Sequence, residues 1–136
     1  MELQKVFDHK FIKVFFDFEK KIMRIVRCNT LTNNDEYKES VYLIAGKIEK
    51  YKPKAILVDM REFSYPVNPE LYSLATKIFT QQTIDLKIKI AVYLMPQDFV
   101  SNISIREMTE RAKQLGVNII YSTSEEEAFE KINEAL

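Results

Sequence analysis

Glycine is almost missing from this chain: Gly46 and Gly116 are the only two in 136 residues. A phosphate-cradling loop or a dinucleotide fingerprint sets several glycines at fixed spacing, so that the backbone can approach the anion closely. This sequence can hold neither motif. Cysteine occurs once, as Cys28. No disulfide can form within the chain, and a reducing compartment is expected. Histidine also occurs once, as His9 between Asp8 and Lys10. No metal-ligand spacing surrounds it, and it reads as an exposed surface residue. An excess of one charge is missing too, since twenty Lys and Arg balance twenty Asp and Glu. That removes any bulk drive toward nucleic acid or an anionic membrane. No apolar run approaches the length of a membrane span, and Met1-Glu2-Leu3-Gln4-Lys5 lacks the apolar core of a signal peptide. These absences lead us to expect a soluble, cytoplasmic, non-enzymatic chain with no cofactor and no metal.

What is present is a scaffold. At 46% hydrophobic the length suits one domain with its own core, spanning residues 1–136. The segment Ala55-Ile56-Leu57-Val58-Asp59-Met60 is apolar except for Asp59, the pattern of a strand buried on both faces of a sheet. Upstream, Phe11 to Phe18 alternates with Ile12, Val14, Phe16 and Phe18 on one face, and Lys21 to Cys28 reads as its antiparallel partner. Lys5 to Asp8 is a further short strand. A helix is expected from Asp35 to Tyr51, with Tyr37, Val41, Ile44, Ile48 and Tyr51 on one stripe. Gly46 inside it is unfavourable, and close contact with the sheet would be a reason to keep it. The lysines Lys47, Lys50, Lys52 and Lys54 gather at the helix end, where cations complement the dipole.

Asn68-Pro69-Glu70 opens a second helix with a cap, a first-turn proline and an acid. Leu71, Leu74, Ala75, Ile78 and Gln82 line its inner face. Lys87 to Met95 is the next strand. A third helix is expected from Ile105 to Leu115, with a start near Asn102 as the alternative; Met108, Ala112 and Leu115 face inward and Gly116 closes it. Val117 to Tyr121 is the last strand, and Ser124-Glu125-Glu126-Glu127 is a capping box opening a helix with Ala128, Phe129, Ile132 and Leu136 inward. The order is a β-hairpin, a helix and then three strand-and-helix pairs. It implies an α/β fold: a mixed sheet with an N-terminal antiparallel hairpin, parallel strands joined by right-handed crossovers, and about four packed helices.

The segments Lys52-Pro53-Lys54-Ala55-Ile56-Leu57-Val58-Asp59-Met60-Arg61, Ile90-Ala91-Val92-Tyr93 and Tyr121-Ser122-Thr123-Ser124-Glu125-Glu126-Glu127-Ala128, in that order, resemble the STAS-like proteins. That group is related to the anti-sigma-factor antagonists, and the chain looks most similar to its bacterial STAS or CRAL-TRIO-like branch. The resemblance implies partner binding more readily than catalysis. Anti-sigma-factor antagonists switch by phosphorylation of a serine that opens the helix after the central strand, in an Asp-Ser-Ser-Gly-like segment. The corresponding helix start here is Val67-Asn68-Pro69-Glu70, with neither the serine nor its glycine neighbour, and Glu70 would repel a phosphate. Ser64 lies upstream and Ser73 lies inside the helix.

Candidate binding residues follow from the same layout, because ligands gather at the carboxyl ends of parallel strands. Asp59 and Arg61 stand there, and Asp98 and Arg106 from the neighbouring loop could converge on them around a polar ligand. The ordinary alternative is that Asp59 and Arg61 simply pair. Phe63, Tyr65, Tyr72 and Phe79 form an aromatic group around the second helix, either as a protein-binding surface or as the side cover of the core. Cys28 beside Arg27 has no base near it and reads as an ordinary thiol. Two functions remain open. One is a regulatory or protein-interaction module, binding a partner or a second copy as a homodimer. The other is a small apolar-ligand or lipid carrier, with the Phe11–Phe18 strand lining a cavity.

Overall fold

The computed structural model of the protein describes residues 2–136. Six strands form one sheet in strict sequence order. The strands β1 (Gln4–Asp8), β2 (Ile12–Asp17) and β3 (Ile22–Arg27) run antiparallel as a meander. The strands β4 (Ala55–Asp59), β5 (Ile90–Leu94) and β6 (Ile119–Ser122) extend the sheet in parallel from β3. The crossovers are α1 (Asn34–Tyr51), α2 (Pro69–Asp85) and α3 (Phe99–Gln114), and α4 (Glu125–Ala135) follows β6. Successive neighbouring strands joined by right-handed crossovers put all three crossover helices on one face. The core reflects this. Met23, Ile25 and Ile56 pack with Ile44 and Ile48 of α1, while Ile22, Leu57, Ile90 and Val92 pack on the other face against Ala128 and Ile132 of α4.

The β2–β3 turn works without glycine. The Asp17 carboxylate accepts from the backbone N–H of Glu19 at 3.0 Å and of Lys20 at 2.9 Å, and Lys21 takes a left-handed φ of 61°. An Asx-type side-chain turn therefore replaces the usual Asn-Gly chemistry. Asn33, Asn68 and Ser124 cap α1, α2 and α4 through side-chain oxygens, and Asp98 does the same for α3.

The structure corrects several expectations. The strand expected from Lys87 begins only at Ile90, because α2 runs on to Asp85 and Lys87 reverses the chain at φ 55°. The third helix starts at Phe99, six residues before Ile105. Phe18, Leu115 and Leu136 are exposed rather than inward: Phe18 lies past the strand end, and the other two sit at helix ends. Gly46 is exposed and a Cβ built there meets nothing within 4 Å, so no close approach to the sheet explains it. His9 is half-buried rather than exposed, stacked on Phe7 with ring centres 5.8 Å apart.

Candidate functional site

Asp59 ends β4 on the α4 face of the sheet and is only 5% exposed. Its carboxylate accepts from Arg61 three times: from Nε at 3.0 Å, Nη2 at 2.8 Å and the backbone N–H at 3.1 Å. Arg24, reaching across from β3, donates at 3.1 Å and also pairs with Glu125 at the start of α4 at 3.1 Å. Burial alone would raise the Asp59 pKa, but the hydrogen bonds from Arg61 and Arg24 outweigh it and hold the carboxyl below its usual range. Asp59 is thus a fixed carboxylate clamped by two guanidiniums, with no proton to give. Asp98 and Arg106 do not join it. Asp98 caps α3, accepting from Ser101 N–H at 2.8 Å, while Arg106 bonds Asn102 at 2.8 Å and lies 4.3 Å from the centre of the Tyr121 ring. The convergence expected from sequence is absent, because the capping interaction holds the aspartate at the helix start.

The aromatic group divides among four environments. Tyr65 stacks on Tyr37 with centroids 6.2 Å apart, and its hydroxyl donates to Asn34 at 2.5 Å. Phe63 is buried in the core. Tyr72 is half-buried and lines a surface groove between α2 and α3 with Met108 and Leu115. Phe79, also half-buried, lines a partly open cavity of about 80 Å³ between the sheet and the three crossover helices. Thr76 and Met108 border both spaces, and the Thr76 hydroxyl donates to the Met108 carbonyl at 3.1 Å.

Two features escaped the sequence reading. Phe99, Val100 and Ile103, on the first turns of α3, are 75%, 69% and 40% exposed. Three large apolar side chains standing together in solvent mark an interaction surface more often than chance. The other feature is Arg27, which is 4% exposed and lines the cavity. Its Nη2 donates to the Ser40 hydroxyl at 2.7 Å, and its guanidinium lies 5.3 Å from the Tyr37 ring centre and 4.9 Å from that of Phe63. Among the described residues no carboxylate comes within 4.0 Å of it. A hint of this was legible: in β3 the residues Met23, Ile25 and Arg27 share one phase of the strand, which places an arginine on the apolar face.

Cys28 is half-buried and free, and burial pushes its thiol up despite Lys13 nearby. Among the described residues no group of three or more His, Cys, Asp or Glu side chains is arranged to hold a metal ion, and no helix is long and apolar enough to cross a membrane.

No protein-family model matches the chain, and no curated protein matches its sequence. Among solved structures, apo-SiaC from Pseudomonas aeruginosa has a similar fold: the TM-score is 0.51 over 90% of this chain and 99% of that one, with 8% of residues identical. At that identity the likeness establishes the architecture, a mixed α/β sheet with an antiparallel start and parallel continuation.

Proposed function

We propose that the chain is a non-enzymatic regulatory module of the STAS-like type that acts by docking a partner protein through the first turns of α3. The exposed set Phe99, Val100 and Ile103 carries this reading. It sits on a helix rather than a loop, directly after the carboxyl end of β5, so its geometry is preset. Asp98, Arg106 and Glu107 stand beside it in sequence and supply the polar rim that protein interfaces place around an apolar centre. The clamped Asp59 gives the same end of the sheet a rigid floor without an acid–base group. The fold shared with SiaC supports the scaffold part of the proposal. Without a serine at Val67-Asn68-Pro69-Glu70, regulation rests on partner concentration or on a ligand rather than on phosphorylation at that position.

Site-specific photocrosslinking tests this. A photoreactive residue at position 103, in the organism that encodes the protein, should give a discrete adduct of one added protein mass. The same residue at exposed Asn133 on α4 should not. Equal labelling at both positions, or none at 103, would refute the placement.

The carrier reading keeps one specific observation in its favour, the cavity between the sheet and the crossover helices. Its walls are not those expected from sequence. No residue of the Phe11–Phe18 strand lines it, because β2 lies beyond β3, away from the parallel half of the sheet that α2 and α3 cover.

A further inference from the structure

We infer that the cavity beneath α2 is a binding site for a small apolar monocarboxylate, with Arg27 as the group that recognises its charge. This stands independently of the docking surface on α3.

Three observations converge. The first is the space itself. At about 80 Å³ it has room for roughly five or six water molecules. It is smaller than the engineered cavity of about 150 Å³ that admits benzene, so a compact branched body fits and a long acyl chain does not. The second is its wall. Ile25, Ile56, Val58, Ala75, Phe79 and Ile119 make most of the lining apolar, which suits a hydrocarbon body and not a sugar or nucleotide. The third is a buried charge on the cavity wall. Arg27 stays protonated at any physiological pH. It is buried on the cavity with a neutral hydroxyl and two aromatic rings for company, and with no carboxylate within ion-pairing reach among the described residues. Buried charges are as a rule paired.

Beside it the fully buried Tyr37 hydroxyl lies close enough to the Arg27 guanidinium to stabilise its charge, yet its own O–H reaches no well-placed acceptor. Tyr37 also lines the cavity, and burial keeps its phenol protonated, so it is a free donor. Burial likewise pushes the Tyr93 phenol, on the same cavity, up to about 12. A guanidinium and a phenol O–H together form the donor set that a carboxylate accepts from. Further along α2 the buried Thr80 hydroxyl is unpartnered too, which leaves room for a polar substituent on the body. The groove bordered by Tyr72 and Leu115 shares Thr76 and Met108 with the cavity.

The test is an NMR titration of the full-length, isotope-labelled chain with three probes of one carbon skeleton: isovalerate, 3-methyl-1-butanol and 3-methylbutylamine. Isovalerate should give saturable shifts at the Ile25, Ala75 and Phe79 amides and bind at least ten-fold more tightly than the alcohol. The amine should not bind. Arg27→Met should erase the preference for the acid while leaving the alcohol's affinity unchanged, and Tyr37→Phe should weaken the acid several-fold. Absence of saturable shifts with isovalerate, equal affinity for acid and alcohol, or undiminished acid binding by a folded R27M would overturn the inference. If R27M does not fold, the comparison of acid and alcohol on the natural chain decides alone.

Discussion

Arg27 donates to Ser40 at 2.7 Å inside the core, and the acceptor is a neutral hydroxyl. Ser40 in turn donates to the Tyr37 carbonyl at 2.6 Å, so it needs nothing from the arginine to be satisfied. An uncompensated buried cation costs stability, and replacing buried charge by an apolar side chain of similar volume is often stabilising. Arg27→Met should therefore raise the urea unfolding midpoint of the ligand-free protein, by the equivalent of about 1 kcal/mol. A lower midpoint would mean that the stacking on Tyr37 and Phe63 outweighs the burial of charge.

The Asp59 clamp has the opposite sign. Asp59→Asn leaves Arg24 and Arg61 facing a neutral amide. Asp59 and much of Arg24 are buried while Arg61 is about half exposed. The cost should thus fall between that of a buried and of an exposed pair, about 2 kcal/mol, read from chemical denaturation.

The same carboxylate sets an acid dependence. Its folded pKa lies below the ordinary value of 3.8, so near that pH the unfolded chain binds the proton more readily than the native one. Stability supplied by Asp59 is complete above 3.8 and is lost as the pH falls through the lowered native value. Acid denaturation followed by circular dichroism should show this limb, and it should flatten in the Asp59→Asn variant.

Most of the framework could be read from local chemistry. The apolar run at Ala55–Asp59, the Asn68-Pro69 helix start and the Ser124 cap each agree with their global role in the structure. The readings that failed did so where side chains disobey the pattern. The pattern puts the start of α3 too late because Phe99, Val100 and Ile103 are exposed, which breaks the amphipathic stripe over its first turns. The cavity was invisible because alternation in β3 shows which face Arg27 occupies and not whether an acid meets it there. Asp98 is ambiguous in sequence between a ligand-binding carboxylate and a helix cap, and only geometry separates the two.

Gly46 supplies an independent check of the local reading. It is exposed in the interior of α1 with empty space where a Cβ would stand. Gly46→Ala should stabilise the protein by roughly 0.5–1 kcal/mol, measured as a higher thermal midpoint. A loss would show that something covers this helix face in solution.

Phe99 and Ile103 lie one helical turn apart on the exposed side of α3. Phe99 is mostly exposed and Ile103 is partly covered, so replacing both with serine should lower stability by no more than about 1 kcal/mol. The fold is thereby kept while the docking surface is lost.

That pair of substitutions gives the most direct measurement: native mass spectrometry of the untagged protein and of its Phe99→Ser, Ile103→Ser variant, each isolated from the organism that encodes it. The natural chain should appear in a complex of defined mass larger than one chain, and the variant as a bare single chain. A single bare chain in both samples, or the same complex in both, would contradict partner docking through the first turns of α3.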